Sequence, residues 1–206
     1  MPQTGSDFPA LVLASASPRR RELLAQLGVS FTVAPADIDE GVMPDEVPQV
    51  YVRRMAISKA REGYAQAVAA GSRSGLIVLG ADTTVAVDNL ILGKPEHMAD
   101  AIRMLEQLSG RTHLVLSAVA VTDGKRLEDR TSITEVSFRN IRADEGAAYW
   151  ATGEPCDKAG AYAVQGLGAL FVQELKGSYT GVVGLPLYET AELLTLFGCR
   201  LGLEPG

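Results

Sequence analysis

The sequence predicts an α/β fold, a mixed β-sheet flanked by helices, and three observations carry that expectation. Short apolar runs that suit buried strands are mixed throughout with amphipathic stretches that suit helices. Some of those strands join through hairpin-length turns, at Asp88-Asn89 and Asp123-Gly124, while others join through helices. A purely parallel, doubly wound sheet has no place for such hairpins, so the sheet is expected to be mixed. The 206 residues suit one domain or two closely joined lobes.

The elements follow in order. Residues 10–14, ALVLA, form a buried strand that stops at Ser15. A helix begins at once: Ser17 can cap it, Pro18 suits its first turn, Leu23, Leu24 and Leu27 make its apolar stripe, and Gly28 fits a left-handed stop. Residues 30–35 are a second strand. After an acidic loop over 36–48, residues 49–70 read as a long helix with Val50, Met55, Ile57 and Ala60 turned inward. A strand returns over 76–87, interrupted at Gly80 to Thr83, and turns at Asp88-Asn89 into a hairpin with 90–93. Residues 95–108 are helical and end near Gly110, and 113–121 and 131–139 are long strands about the Asp123-Gly124 turn. A short helix over 144–151, two strands over 159–166 and 169–175, and an amphipathic helix over 186–198 complete the chain.

Nineteen Lys and Arg against twenty-five Asp and Glu leave a formal charge of −6, which opposes broad contact with a nucleic-acid backbone. A local basic cluster can still hold a compact anion, because the field in a cleft is set by nearby charges. No apolar run approaches the roughly 20 residues that span a bilayer, and the opening MPQTGSDFPALVLA lacks the basic start and long apolar middle of a signal peptide. The chain is therefore expected to be cytoplasmic, with no membrane partner. Cys156 and Cys199 are isolated and read as free thiols.

Candidate chemistry concentrates at strand ends. Ser15 to Arg20 lie where a strand gives way to a helix, so backbone N–H groups, the helix dipole and guanidinium forks can converge on a phosphate. Arg19, Arg20 and Arg21 read equally as solvated helix charges. Asp82 is delivered to a strand end, where it can hold a metal, take a proton, or simply cap a turn through Thr83 and Thr84. Lys59 and Lys94 can neutralise phosphate or serve as surface charges, and the spacing around Lys94 is not that of a P-loop. Asp39 and Glu40 offer oxygen ligands suited to Mg²⁺, or belong to a solvated acidic loop. His97 and His113 lack zinc-pair spacing and are expected on an exposed helix or strand face. The segment 153–166, with Gln165 near its end, can shape a base pocket in which an amide reads donors and acceptors, and 177–186 adds a Gly-rich stretch.

The segments LASASPRRRELL, DIDE, SKA, GADTTV, LGKP, LSGRTH, DKAGAYAVQG and GSYTGVVGLPL together resemble, in order and at similar spacing, the Maf family of nucleoside triphosphate pyrophosphatases. The resemblance covers nearly the whole chain. It implies an elongated α/β fold like that of Maf and inosine triphosphatase proteins, one domain over 1–206 with two lobes around a central cleft. It also implies metal-assisted hydrolysis of a triphosphate to the monophosphate and pyrophosphate, with Mg²⁺ or Mn²⁺ as cofactor. By the same resemblance Ser15 and Arg20 hold the triphosphate with Lys59 and Lys94, Asp82 is the proton acceptor, and Asp39 and Glu40 stand with Asp82 near the metal. Arg19, Thr83 and Gln165 fall at positions that separate branches of the family, and they look like the dTTP/UTP branch. Thr84 and Cys156 depart from common family residues at positions without a proposed catalytic role. A homodimer is a further implication, and a nucleotide-binding regulator of cell division or septum formation, with incidental turnover, is the alternative function.

Overall fold

The computed structural model describes residues 9–72 and 75–202; residues 1–8, within the stretch read for a leader, lie outside them, as do 73–74 and 203–206. The chain begins with β1 (Ala10–Leu13), α1 (Pro18–Ala25) and β2 (Phe31–Val33), followed by α2 (Pro48–Ala69), β3 (Leu76–Val87) and β4 (Leu90–Leu92). Next come α3 (Met98–Leu108), β5 (Thr112–Thr122), β6 (Leu127–Phe138), α4 (Glu145–Trp150) and 3-10 turns at Glu154–Asp157, Ala159–Ala161 and Leu167–Phe171. Last are β7 (Val172–Lys176), α5 (Tyr179–Val183) and α6 (Leu187–Leu196).

The strands form one open, mixed sheet in the order β2-β1-β3-β5-β6-β7, with β4 also on β3. β2, β1 and β3 run parallel, whereas β3, β5, β6 and β7 are joined antiparallel, β5 to β6 directly through the Asp123-Gly124 hairpin turn. β3 is shared by both parts. β1 pairs with residues 76–79 of it and β4 with 85–87, both along the edge opposite β5. Between them, residues 80–84 have no strand neighbour on that edge among the described residues. This gap in the sheet is where the cleft opens.

Alternation along β3 sends its side chains to two different layers. Ile77, Leu79 and Ala81 pack with Leu23 and Leu24 of α1 and Leu193 and Leu194 of α6. On the other face Val52, Ala56 and Ala60 of α2 meet Ala86, Leu116, Ala118 and Ala120. A further cluster beneath α3 and α4 joins Val85 and Leu92 to Met104, Leu105, Phe138 and Tyr149. The buried residues of α2 are Pro48, Val52, Met55, Ala56, Lys59, Ala60 and Gly63, a single helical face. Val50 is exposed, against the expectation, because it lies about 200° around the helix from Val52. Small residues bring α2 close: a Cβ on Gly80 would overlap the Ala56 carbonyl oxygen and stand 2.5 Å from the Ala60 nitrogen.

The expected interruption of β3 at Gly80 to Thr83 is absent, since these residues stay in register with β5 throughout. The Asp88-Asn89 turn does form, with φ of 49° and 62°, the left-handed pair that a two-residue hairpin needs. Residues 159–166 are not a strand: Gly160 and Ala161 both have positive φ, which turns the chain out of any extended path. Of 169–175, the strand begins only at Val172, and α5 forms inside the stretch read as a flexible Gly-rich segment, with the Ser178 hydroxyl accepting from the Gly181 amide at 3.0 Å. Cys156 is exposed and Cys199 buried, both unbridged. Among the described residues no helix is long and apolar enough to cross a membrane.

His97 is exposed and caps α3, its ring nitrogen accepting from the Asp100 amide at 3.1 Å. His113, expected at the surface, is instead 2% exposed, because it shares the inward face of β5 with Val115. Its Nε2 lies 2.8 Å from the Tyr162 hydroxyl, and its ring meets Phe138 edge to face. Burial pushes its pKa down to about 4.

Two outcomes are expected. Gly80→Ala should lower stability by about 1–3 kcal/mol, because backbone rather than a flexible side chain must move to admit the methyl; denaturant unfolding measures it. His113 is neutral in the fold but free to protonate when unfolded, so below about pH 6.5 the unfolded chain binds the extra proton and stability falls towards pH 4. Melting curves at pH 7 and pH 5 should show a smaller loss for His113→Phe than for the unsubstituted chain.

Candidate active site

β1 ends where its apolar residues end, and the chain turns through Ser15 into α1. The Ser17 hydroxyl caps α1 by accepting from the Arg20 amide at 3.4 Å, with Pro18 in the first turn. That cap starts the helix so that Arg20 reaches back over the strand end. Its Nε donates to the Gly184 carbonyl at 2.9 Å, its Nη1 to Ser15 Oγ at 3.2 Å and its Nη2 to Thr83 Oγ1 at 3.5 Å. All three acceptors are neutral. Burial lowers the Arg20 pKa from its ordinary value, and the charges of Asp82 and Glu40 oppose the shift.

On β3 Asp82 follows Gly80 towards α2, where Lys59 meets it. Lys59 Nζ lies 2.8 Å from Asp82 Oδ1 and 2.6 Å from Glu40 Oε1, so one buried ammonium links two carboxylates from different segments. Burial acts to raise the Glu40 carboxyl, but the Lys59 hydrogen bond and the charges of Lys59, Lys94 and Arg20 carry it below its ordinary value. Tyr51, two turns before Lys59, donates to the Glu40 carbonyl at 3.0 Å and has its own pKa pushed up to about 12 by burial and by Asp82 and Glu40.

Thr83 points the other way. Its Oγ1 lies 2.8 Å from Ser117 Oγ, on the paired position of β5, and 3.3 Å from the Gly184 carbonyl, while Ser117 donates to the Gly181 carbonyl at 2.6 Å. The hydroxyl is thus committed to tying α5 and Arg20 to the sheet.

Most of these residues line one cleft of about 740 Å³, large enough for a nucleotide. The lining brings Ser15, Arg19, Arg20, Glu40, Lys59, Asp82 and Thr83 together with Lys94, Asp157, Lys158 and Gln165. Arg19 reaches across, its Nη2 3.5 Å from Asp157 Oδ2, and burial lowers its pKa against the charges of Glu22 and Glu154. Asp39 does not join the rest: it is exposed, outside the cleft lining, and its Oδ1 accepts from the Gly41 amide at 2.8 Å. The paired carboxylates of DIDE therefore separate, one turned to its own loop and one to Lys59. Arg21 is exposed.

Sequence reasoning singled out neither Tyr51, Ser117 nor Lys158. Lys158 is largely buried beside Asp157, and burial with the nearby Arg19 charge pushes its pKa down to about 8. Its place two residues before Gly160, in the segment already read as a base pocket, was the signal available; Tyr51 could have been found by helical spacing from Lys59.

A cleft lined by several cations, with a buried, ammonium-held carboxylate at a strand gap, defines an α/β protein that receives a small polyanion. The chain belongs to the Maf family: the family model described as Maf-like protein matches residues 10–197. It is similar to the dTTP/UTP pyrophosphatase of Pseudoalteromonas atlantica, 50% identical over 185 residues that cover 90% of this chain and 95% of that protein. It is likewise similar to the dTTP/UTP pyrophosphatases of Aromatoleum aromaticum, 52% identical over 93% of this chain and 97% of the relative, and Saccharophagus degradans, 53% identical over 94% and 91%.

Proposed function

We propose that this chain hydrolyses nucleoside triphosphates, dTTP and UTP foremost with modified pyrimidine nucleotides beside them, to the monophosphate and pyrophosphate. The observation that carries the reading is the pair Asp82 and Lys59 with Arg20 in one cleft, in a chain about half identical, over nine-tenths or more of its length, to proteins named dTTP/UTP pyrophosphatase. Phosphoryl transfer depends on positioning and on stabilising charge as the leaving group departs. Arg20, whose hydrogen bonds rest on neutral acceptors, offers its guanidinium to the triphosphate; Ser15 and Lys94 complete the grip.

Water attacks the α-phosphorus, the bond from that phosphorus to the bridging oxygen breaks, and pyrophosphate leaves. Asp82 takes the proton from that water, its carboxylate aimed by Lys59. Glu40 and Asp82 suit Mg²⁺ or Mn²⁺, ions satisfied by one or two carboxylates plus substrate phosphates. Among the described residues no group of three or more acidic, histidine or cysteine side chains forms a cage, so a shared site of this kind fits the donors better than a dedicated one. The cation, when bound, supplies neutralisation of phosphate charge. Gln165, which lines the cleft together with Arg19, reads the base, its neutral amide matching the carbonyl and imide of uracil or thymine. Thr83 acts on preference through the contacts that hold Arg20 and Gly184. A cytoplasmic homodimer belongs to the same reading.

Pyrophosphate release across a panel of triphosphates with Mg²⁺ or Mn²⁺ should favour dTTP and UTP. Equal turnover of every nucleotide would remove the pyrimidine preference, and none with any would turn the reading to a nucleotide-binding regulator. Asp82→Asn should lower kcat by about 10²-fold or more while circular dichroism stays unchanged, and an undiminished rate would place the base elsewhere.

A further inference from the structure

The cleft wall that carries Gln165 is held from behind by two side chains that do not themselves line the cleft. Tyr149 Oη accepts from the Ala163 amide at 3.1 Å and donates to Glu154 Oε1 at 2.6 Å. Glu154 then accepts from the two amides that follow Gln165 and Gly166: Leu167 to Oε2 at 2.9 Å and Gly168 to Oε1 at 3.0 Å. Gln165 is thereby bracketed, two residues before it by the phenol and two and three after it by the carboxylate.

The clamp is itself rigid. Tyr149 is buried with its ring edge-on to Phe171 at 5.2 Å, and the Glu154 amide is fixed through Thr152, whose hydroxyl accepts from it at 3.2 Å and donates to the Tyr149 carbonyl at 2.7 Å. The loop has been fitted to it: a Cβ on Gly166 would overlap the Glu154 carboxylate, and one on Gly168 would stand 2.6 Å from Tyr149 Oη. A carboxylate is the right group, because it accepts at both oxygens; an amide in its place would turn an NH₂ towards one of three donors.

Uracil and guanine both present a carbonyl beside an imide N–H, so an amide can pair with either edge, and the hydrogen-bond pattern does not separate them. Separation must come from depth, which is the position of the wall. We propose that Glu154 and Tyr149 are positioning residues for nucleobase selection: they fix the Ala163 to Gln165 wall at the depth of a pyrimidine and so exclude the larger purine. The inference rests on the reading of Gln165 as the base-recognising residue.

The test is steady-state kinetics with UTP and GTP for Glu154→Gln, Tyr149→Phe and Gln165→Ala, each checked for folding by a thermal melt. Glu154→Gln and Tyr149→Phe should each lower the UTP-to-GTP ratio of kcat/KM about tenfold, the scale of one lost buried hydrogen bond, chiefly through a lower KM for GTP as the wall loosens. Tyr149→Phe keeps the ring on Phe171 and serves if Glu154→Gln fails to fold. A loss confined to kcat and equal for both nucleotides, or an unchanged ratio in the folded variants, would overturn the clamp. If Gln165→Ala collapses the ratio and the clamp variants do not, the clamp alone fails; if Gln165→Ala leaves the ratio intact, the assignment of Gln165 fails, and the clamp variants decide separately whether the wall matters.

Discussion

A helix can approach a strand only as closely as the side chains between them allow, and where α2 crosses β3 one of those side chains is missing. Gly80 lets the backbone of α2 rest on the sheet between Ala56 and Ala60, and Gly63 does the same one turn further on, against Ala14 and Val78. Lys59 sits between these contacts, and Asp82 is the next residue of β3 on the face of Gly80. The 2.8 Å contact between the two charges is thus a result of backbone packing. With a larger residue at 80, the ammonium would be lifted off the carboxylate and Glu40 would lose the partner that brings its loop to the cleft.

The electrostatics of the site follow a division of labour. Lys59 is engaged by two carboxylates and holds both in place, and its hydrogen bond and charge favour the ionised form of Glu40. Arg20 hydrogen-bonds only to oxygens without charge, and feels Asp82 and Glu40 through the field alone, so its guanidinium is not locked into an ion pair. A chain with a net charge of −6 can in this way present a cationic spot for one anion while remaining unattractive to an extended one.

Much of this was legible from residue order. Apolar runs, the Ser17-Pro18 start and the Asp88-Asn89 turn each obey local rules, and the structure follows them at β1, α1 and the β3–β4 hairpin. What failed to show were features set by partners distant in sequence. His113 looked like a surface residue because nothing nearby reveals that Tyr162 and Phe138 will close over it. The segment 159–166 has the composition of a strand, yet the positive φ of Gly160 and Ala161 and the anchoring to Tyr149 and Glu154 give it another path. Asp39 and Glu40 are neighbours with the same chemistry, and only the position of Lys59 separates their fates.

The break in strand pairing along residues 80–84 bears on a hazard unrelated to catalysis. Unpaired strand edges invite other chains to add to the sheet, and proteins commonly guard them. Here the bare stretch is bounded by β1 at one end and β4 at the other, so an intruding strand would meet chain already in its path before gaining more than a few ladder bonds. The opening is long enough for a small molecule and too short to template a polypeptide, and the same geometry that exposes the site protects it from aggregation.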